Sequence, residues 1–232
     1  MLLCKSEWLS ISLNLTMEDS LKKLRYIFTI GLPVIIFIFI TINIIKQNSN
    51  GFDSYVYQGV SKYISPGLTD TMKLITFFGS GQFLTAVAFI LIIVFFRKEE
   101  YSFNASMIVI NLILSSLLNV GIKYIIHRER PDILRLIDIG GYSFPSGHSM
   151  AAMSFYGFLI YLCCKNYKTK WKYLIISLLA SLIALIGLSR VYLGVHYASD
   201  VLGGFFLGIS WVGVYSIIVD IRYRKKHAPY ND

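Results

Sequence analysis

Residues 104–131 read NASMIVINLILSSLLNVGIKYIIHRERP: nineteen residues without a charge, then Lys123, three more apolar or aromatic residues and the polar cluster His127-Arg128-Glu129-Arg130 before Pro131. A bilayer core takes about 20 apolar residues of helix, so residues 104–126 have the length and character of a membrane span. Comparable runs lie outward on both sides, at 27–45, 74–96, 148–164, 172–189 and 199–220, separated by charged or turn-forming residues. The chain is therefore read as an all-α, integral-membrane bundle of six transmembrane helices. Composition agrees: of 232 residues 55% are hydrophobic and 15% charged, and the mean hydropathy is +0.60, too apolar for a water-soluble domain of this size.

The fourth run is taken to open at His148, because Pro145 and Gly147 just before it resist regular helix. Between the first two spans, Phe52, Tyr55, Val56, Tyr63 and Ile64 recur at near-helical spacing in a segment (51–67) too short and too polar to cross a bilayer. A short interfacial helix is expected there. Six spans put both termini and the second and fourth loops on one side, which holds fourteen of the 22 Lys and Arg residues. The positive-inside rule makes that side cytoplasmic and turns the other face outward. It also accounts for the net charge of +9 better than nucleic-acid binding does, so no nucleic-acid partner is expected.

The organisation follows as a cytoplasmic N-terminal segment (1–26), a single six-span unit (27–220) and a basic cytoplasmic tail (221–232). The N-terminus lacks an A-x-A-like cleavage site and makes a poor signal peptide, and Met17 is an alternative start. Cys4, Cys163 and Cys164 form neither a disulfide framework nor a metal-ligand spacing.

Ionisable residues near the ends of spans are costly and tend to face a partner or a polar cavity. Three such clusters fall on the outward side. In Lys123-x6-Arg130-Pro131, a helix continuing to Arg130 would bring both cations to one face about 10 Å apart. Snorkelling to lipid headgroups is the plainer alternative. On that helix His127 would share the same face and add a proton-dependent cation. Tyr142-Ser143-Phe144-Pro145-Ser146-Gly147-His148-Ser149, with Pro145-Ser146-Gly147-His148 as its core, opens the fourth span with the N–H groups and positive dipole end that suit an anion. An ordinary N-cap by Ser146 is the competing reading. In Ser189-Arg190-x5-His196-x3-Asp200, Gly194 permits a turn that lets Arg190 and His196 share a cavity. His196 and Asp200, four apart, form a helical pair in which the carboxylate fixes the tautomer and frees the other nitrogen to attack; a surface ion pair is the alternative.

All three clusters belong where the outward ends of spans three to six meet. Together they equip the site for phosphoryl transfer: Lys123, Arg130 and Arg190 to hold the nonbridging oxygens, His196 to attack phosphorus and His148 to protonate the departing oxygen.

These same motifs resemble the three-part signature of the type 2 phosphatidic acid phosphatase (PAP2) family, matched without a gap over residues 123–200. The resemblance implies a membrane lipid phosphatase working through a phosphohistidine, without a metal or other cofactor. By motif position His196 would be the nucleophile, Asp200 its orienting partner and His148 the general acid. Lys123, Arg130, Ser146, Gly147 and Arg190 would hold the phosphate, with Ser189, Pro131 and Pro145 in support. Soluble haloperoxidases that hold vanadate share the signature, but six spans argue against that branch. Within the family the chain most resembles small bacterial enzymes acting on phosphatidylglycerophosphate or undecaprenyl pyrophosphate. The expected partners are a lipid phosphate or pyrophosphate and the bilayer; the sequence leaves headgroup and oligomeric state open. A lipid-to-lipid phosphotransferase would share the first half-reaction. An anionic-lipid transporter would need a polar path to the other leaflet, and the inner halves of the spans are nearly devoid of charge.

Overall fold

The computed structural model describes residues 20, 23–95, 99–166 and 169–226, and these fold into helices without a strand. The alternative start at Met17 and the last tail residues, 227–232, lie outside the described residues. The first span, Lys23–Ile45, contains a π-helical stretch at Ile27–Gly31 and continues as α1 (Leu32–Ile45). Then follow α2 (Asn50–Ser61), α3 (Pro66–Phe77), α4 (Gly81–Phe95), α5 (Glu99–Ile126), α6 (Gly147–Asn166), α7 (Trp171–Tyr192) and α8 (Ala198–Lys226). The first span, α5, α6, α7 and α8 are long and apolar enough to cross a membrane.

The second span departs from expectation. A single helix over 74–96 is replaced by α3 and α4, which meet at 45° across a break at residues 78–80, so the count of six spans takes this bent pair as one. The sequence Phe78-Gly79-Ser80-Gly81 supplies the physical cause, since two glycines within four residues weaken a helix. Gly79 also lies where a Cβ would meet the Ile186 side chain at 2.5 Å, so the break packs tightly on α7.

A helix does form in the segment between spans one and two, as α2. Its inward face differs from the apolar stripe: Asp53 is buried while Tyr55 is 78% exposed. Val56, Tyr57 and Val60 pack on Val191, Ala198 and Val201. Phe52, Tyr55 and Tyr63 stay exposed, while the inward side combines those apolar contacts with buried Asp53.

Helix α6 is the centre of the bundle and packs on α5, α7 and α8. In lipid, apolar side chains gain little by leaving their surroundings, so close contact between helices rests on small residues and polar bonds. Gly204-x3-Gly208 on α8 supplies the small residues: a Cβ on Gly204 would lie 2.8 Å from the Ser146 carbonyl oxygen, and one on Gly208 2.7 Å from Met153. A polar bond lies deeper, where Trp211 Nε1 donates to Asn111 Oδ1 at 2.6 Å and Asn111 Nδ2 donates to the Ser154 carbonyl at 2.7 Å. At the end of the bundle away from the motifs, Asp220 accepts from Lys165 and Tyr161, each at 2.5 Å, with Arg25 at 3.6 Å.

Candidate active site

Helix α5 stops at Ile126, and His127 has φ +51°. The expected continuation to Arg130 is thus corrected: Arg130 and Pro131 stand on the loop 127–146, so Lys123 and Arg130 do not share a helical face. His127 leaves that face too, its ring set edge-on to Tyr142 at 4.5 Å between centroids. Pro131 cannot continue the helix, and off it Arg128 and Arg130 each find partners of their own.

The loop returns Arg130 to the site by another route. Its Nη1 donates to the Val195 carbonyl at 2.8 Å and lies 3.2 Å from His196 Nε2. Its Nε and Nη2 donate to the carbonyls of Gly141, at 2.9 Å, and Gly140, at 3.0 Å. Lys123 Nζ donates to the carbonyls of Tyr142 and Ser143. Both cations therefore brace the backbone around the site through its carbonyls.

The turn between α7 and α8 is built as its glycine suggested. Gly194 has φ +69°, and a Cβ there would strike the Leu134 carbonyl oxygen at 2.3 Å, so only glycine fits. This turn carries His196, 3% exposed, to Asp200, which is fully buried in the first turn of α8. His196 Nδ1 lies 3.4 Å from Asp200 Oδ2 and 3.2 Å from Ser143 Oγ, and that hydroxyl donates to the same Oδ2 at 2.5 Å. Two acceptors at Nδ1 assign the proton there, leaving Nε2 with a lone pair beside Arg130. Burial outweighs the carboxylate and holds the His196 imidazole well below its ordinary range, at about 4, with Arg190 and Arg130 pushing the same way. A neutral, oriented imidazole is a nucleophile at neutral pH.

Arg190 is 1% exposed, yet only its Nη1 is engaged, donating to Thr76 Oγ1 at 2.7 Å; Nε and Nη2 are buried with no partner. Orphaned donors on a buried cation are expensive, and an anion with two oxygens would satisfy both. Ser146 Oγ accepts from Ser149 N and Oγ, capping α6 and leaving its own proton to donate. Gly147 and His148 open α6 and line a cavity of about 260 Å³ with Ser115, Ser116 and Asn119 of α5. The charges acting on His148 are those of Arg190, His196, Arg130 and Lys123, which draws the three motifs into one electrostatic neighbourhood. Ser189 is buried and donates to the Ile186 carbonyl at 2.6 Å, a bond within its own helix. Pro145 follows a cis peptide bond and its carbonyl accepts from Asn119 at 3.4 Å.

Three residues outside the three-part signature also belong to the site: Ser143, which the second cluster contains without a role assigned to it, Arg128 and Asp53. Arg128 Nη1 donates to Asp200 Oδ1 at 2.6 Å and its Nη2 to Asp53 Oδ2 at 2.8 Å. The available signal was the unexplained polarity of Arg128 and Asp53 beside apolar segments. Their pairing, 75 residues apart in sequence, was not visible.

A family model described as the PAP2 superfamily matches residues 104–224. Phosphatidylglycerophosphatase B from Bacillus subtilis is 34% identical over 184 residues, covering 76% of this chain and 89% of that protein. An undecaprenyl-diphosphatase from Sulfolobus acidocaldarius is 25% identical, covering 84% and 92% respectively. The crystal structure of a transmembrane PAP2-type phosphatidylglycerolphosphate phosphatase from Bacillus subtilis superposes with a TM-score of 0.77 at 27% identity, over 88% of this chain and all of that one.

Proposed function

Because the chain belongs to the PAP2 superfamily, we propose that it is a membrane phosphatase that releases phosphate from a lipid phosphate or pyrophosphate through a phosphohistidine on His196, without a metal. The observation that carries this reading is the pair of unpartnered donors on buried Arg190, together with Arg130 standing at the unprotonated nitrogen of an oriented histidine.

In the first half-reaction His196 Nε2 attacks phosphorus, the bond from phosphorus to the lipid oxygen breaks, and His148 gives that oxygen its proton. Arg190 Nε and Nη2, the Lys123 and Arg130 charges, the Ser146 hydroxyl and the Gly147 N–H neutralise the phosphoryl oxygens. Asp200 steadies the positive imidazole that forms. In the second, water attacks phosphorus, His148 takes a water proton, and inorganic phosphate leaves with His196 restored. These cations do the work a metal would do, so activity should not need one. Residues 27–220 form the phosphatase unit, and the site faces outward with both termini cytoplasmic.

The test offers detergent-purified protein phosphatidylglycerophosphate, phosphatidic acid and undecaprenyl pyrophosphate in parallel, in EDTA, and measures released phosphate. Turnover of at least one, abolished in His196→Ala, is expected. No release from any, or release that EDTA stops, overturns the reading.

A further inference from the structure

We infer that Arg128 is a positioning residue for the histidine nucleophile, held by Asp53 of α2 and holding in turn both groups that face His196 Nδ1. The kinetic part of this inference rests on the phosphatase reading.

Arg128 reaches Asp200 with its side chain and Ser143 with its backbone. The Nη1 to Asp200 Oδ1 bond, 2.6 Å, occupies one carboxylate oxygen and leaves Oδ2 for Ser143, the Tyr197 N–H at 2.9 Å and the imidazole. The Arg128 carbonyl accepts from the Ser143 N–H at 2.8 Å, which fixes the loop at the serine whose hydroxyl touches His196 Nδ1. One residue thus sets the rotamer of the orienting carboxylate and the place of its companion hydroxyl.

The guanidinium is itself clamped. It stacks over the Tyr197 ring at 4.1 Å and donates to Ser199 Oγ at 2.7 Å and Ser49 Oγ at 3.3 Å. Asp53 closes the clamp: Oδ2 accepts from Arg128 and from Ser199 Oγ, at 2.7 Å, and Oδ1 accepts from the Ser199 N–H at 2.8 Å, at the N-terminus of α8. Four acceptors in different directions need a planar fork, which arginine has and lysine lacks. Because Asp53 belongs to the helix with an exposed apolar face, the orientation of His196 is tied through two side chains to the packing of α2.

Two carboxylates share one guanidinium here, so the charge that Asp200 shows to His196 depends on how much of Arg128 is spent on Asp53. The groups acting on His196 are Asp200 of α8, Arg190 of α7, Arg130 of the loop and His148 of α6, with Arg128 acting through Asp200. Removing Arg128 uncovers the Asp200 charge and raises the imidazole. Removing the Asp53 charge gives Arg128 wholly to Asp200 and lowers it.

The experiment uses the full chain in detergent with Arg128→Met, Asp53→Asn, Arg128→Lys and the double Arg128→Met/Asp53→Asn. Two readouts are taken between pH 3 and 8: the acid limb of kcat/KM on the turned-over lipid, and the titration of the histidine NMR signal lost in His196→Gln. Expected are an upward move of about one unit in Arg128→Met and a downward one in Asp53→Asn, the scale of a lost or strengthened charge contact. Loss should fall on kcat with KM within twofold, and Arg128→Lys should recover only part of it. The double variant leaves no charge of this pair buried alone; it keeps the upward shift if Arg128→Met folds poorly. Midpoints that stay put in both single variants, or move the same way, overturn the inference, as does a stability loss that alone accounts for lost rate. If the wild type hydrolyses no lipid phosphate, the phosphatase reading falls, and the NMR midpoints still decide for or against Arg128.

Discussion

Arg190 at the end of α7 donates to Thr76 Oγ1 at 2.7 Å, a bond that reaches the bent second span one residue before α3 ends. It anchors one arm of the guanidinium and leaves the other two donors buried and open. The break after α3 also borders the site: Gly79 and Gly81 line the same cavity as Gly147 and His148.

Thr76→Val removes the anchor while keeping shape. A third Arg190 donor then loses its partner, a change on the order of 1–3 kcal/mol for a buried polar group. Expressed in kinetics, kcat/KM should fall about 10- to 100-fold, with Arg190→Lys falling further because a point charge cannot serve threonine and phosphate together. Steady-state kinetics on the preferred lipid decide it; a Thr76→Val enzyme with wild-type constants would remove Thr76 from the site.

The two histidines should fail differently. His196→Ala should abolish both turnover and acid-labile phosphate on the protein. His148→Ala should still be phosphorylated by substrates with good leaving groups, and slow by about 10²–10⁴-fold on natural lipids, the range of a lost general acid. Rapid quench with ³²P-labelled substrate measures both. Phosphoprotein in His196→Ala would move the nucleophile elsewhere.

Burial of His196 fixes the sign of the pH dependence. The imidazole sits at about 4, against an ordinary 6.5, so the nucleophile is neutral at every pH above 5. Corrected for titration of the substrate, kcat/KM should show no loss on the nucleophile's account between pH 8 and 5, and fall as pH drops through about 4. Linkage gives a second readout: between about 4 and 6.5 the unfolded chain binds the proton that the folded one refuses, so thermal stability rises with pH across that window and levels off above it. An acid limb at the ordinary histidine value would mean a solvated nucleophile.

The ionisable motif residues were legible because each is a charged or titratable group in an apolar setting, where its cost demands a use. Apolar run length gave the spans for the same reason. What escaped was whatever depends on where the chain turns. The stop of α5 at Ile126 took Arg130 and His127 off the helix, and the bend at 78–80 split the second span. The contact of Gly204 with Ser146 likewise exists only once α6 and α8 are placed. Arg128 and Asp53 belong to no motif spacing; only the fold brings them together at Asp200.

That helix contact supports the site directly. Gly204→Ala places a methyl 2.8 Å from the Ser146 carbonyl oxygen and 3.0 Å from Ser149 Cβ, so α6 must move away and take with it the Ser146-Gly147 turn proposed to bind phosphate. Overpacking of this kind costs about 1–3 kcal/mol. A lower melting temperature and a lower kcat/KM are expected together; Gly140→Ala, with open space around it, should change neither the fold nor its stability.

Orientation can be read from the protein's own thiol. His148 begins α6 and Cys164 stands near its other end, exposed, some 16 residues or about 24 Å along the helix. If the site faces outward, Cys164 lies at the cytoplasmic end beside Lys165 and the Asp220 cluster, where the positive-inside rule places such cations. A membrane-impermeant maleimide applied to intact cells carrying Cys4→Ser should therefore spare Cys164 until the membrane is permeabilised. Lys62→Cys, exposed just after α2, should label at once from outside. Labelling in the opposite order would turn the pocket to the cytoplasm and require its lipid phosphate to be drawn from the inner leaflet.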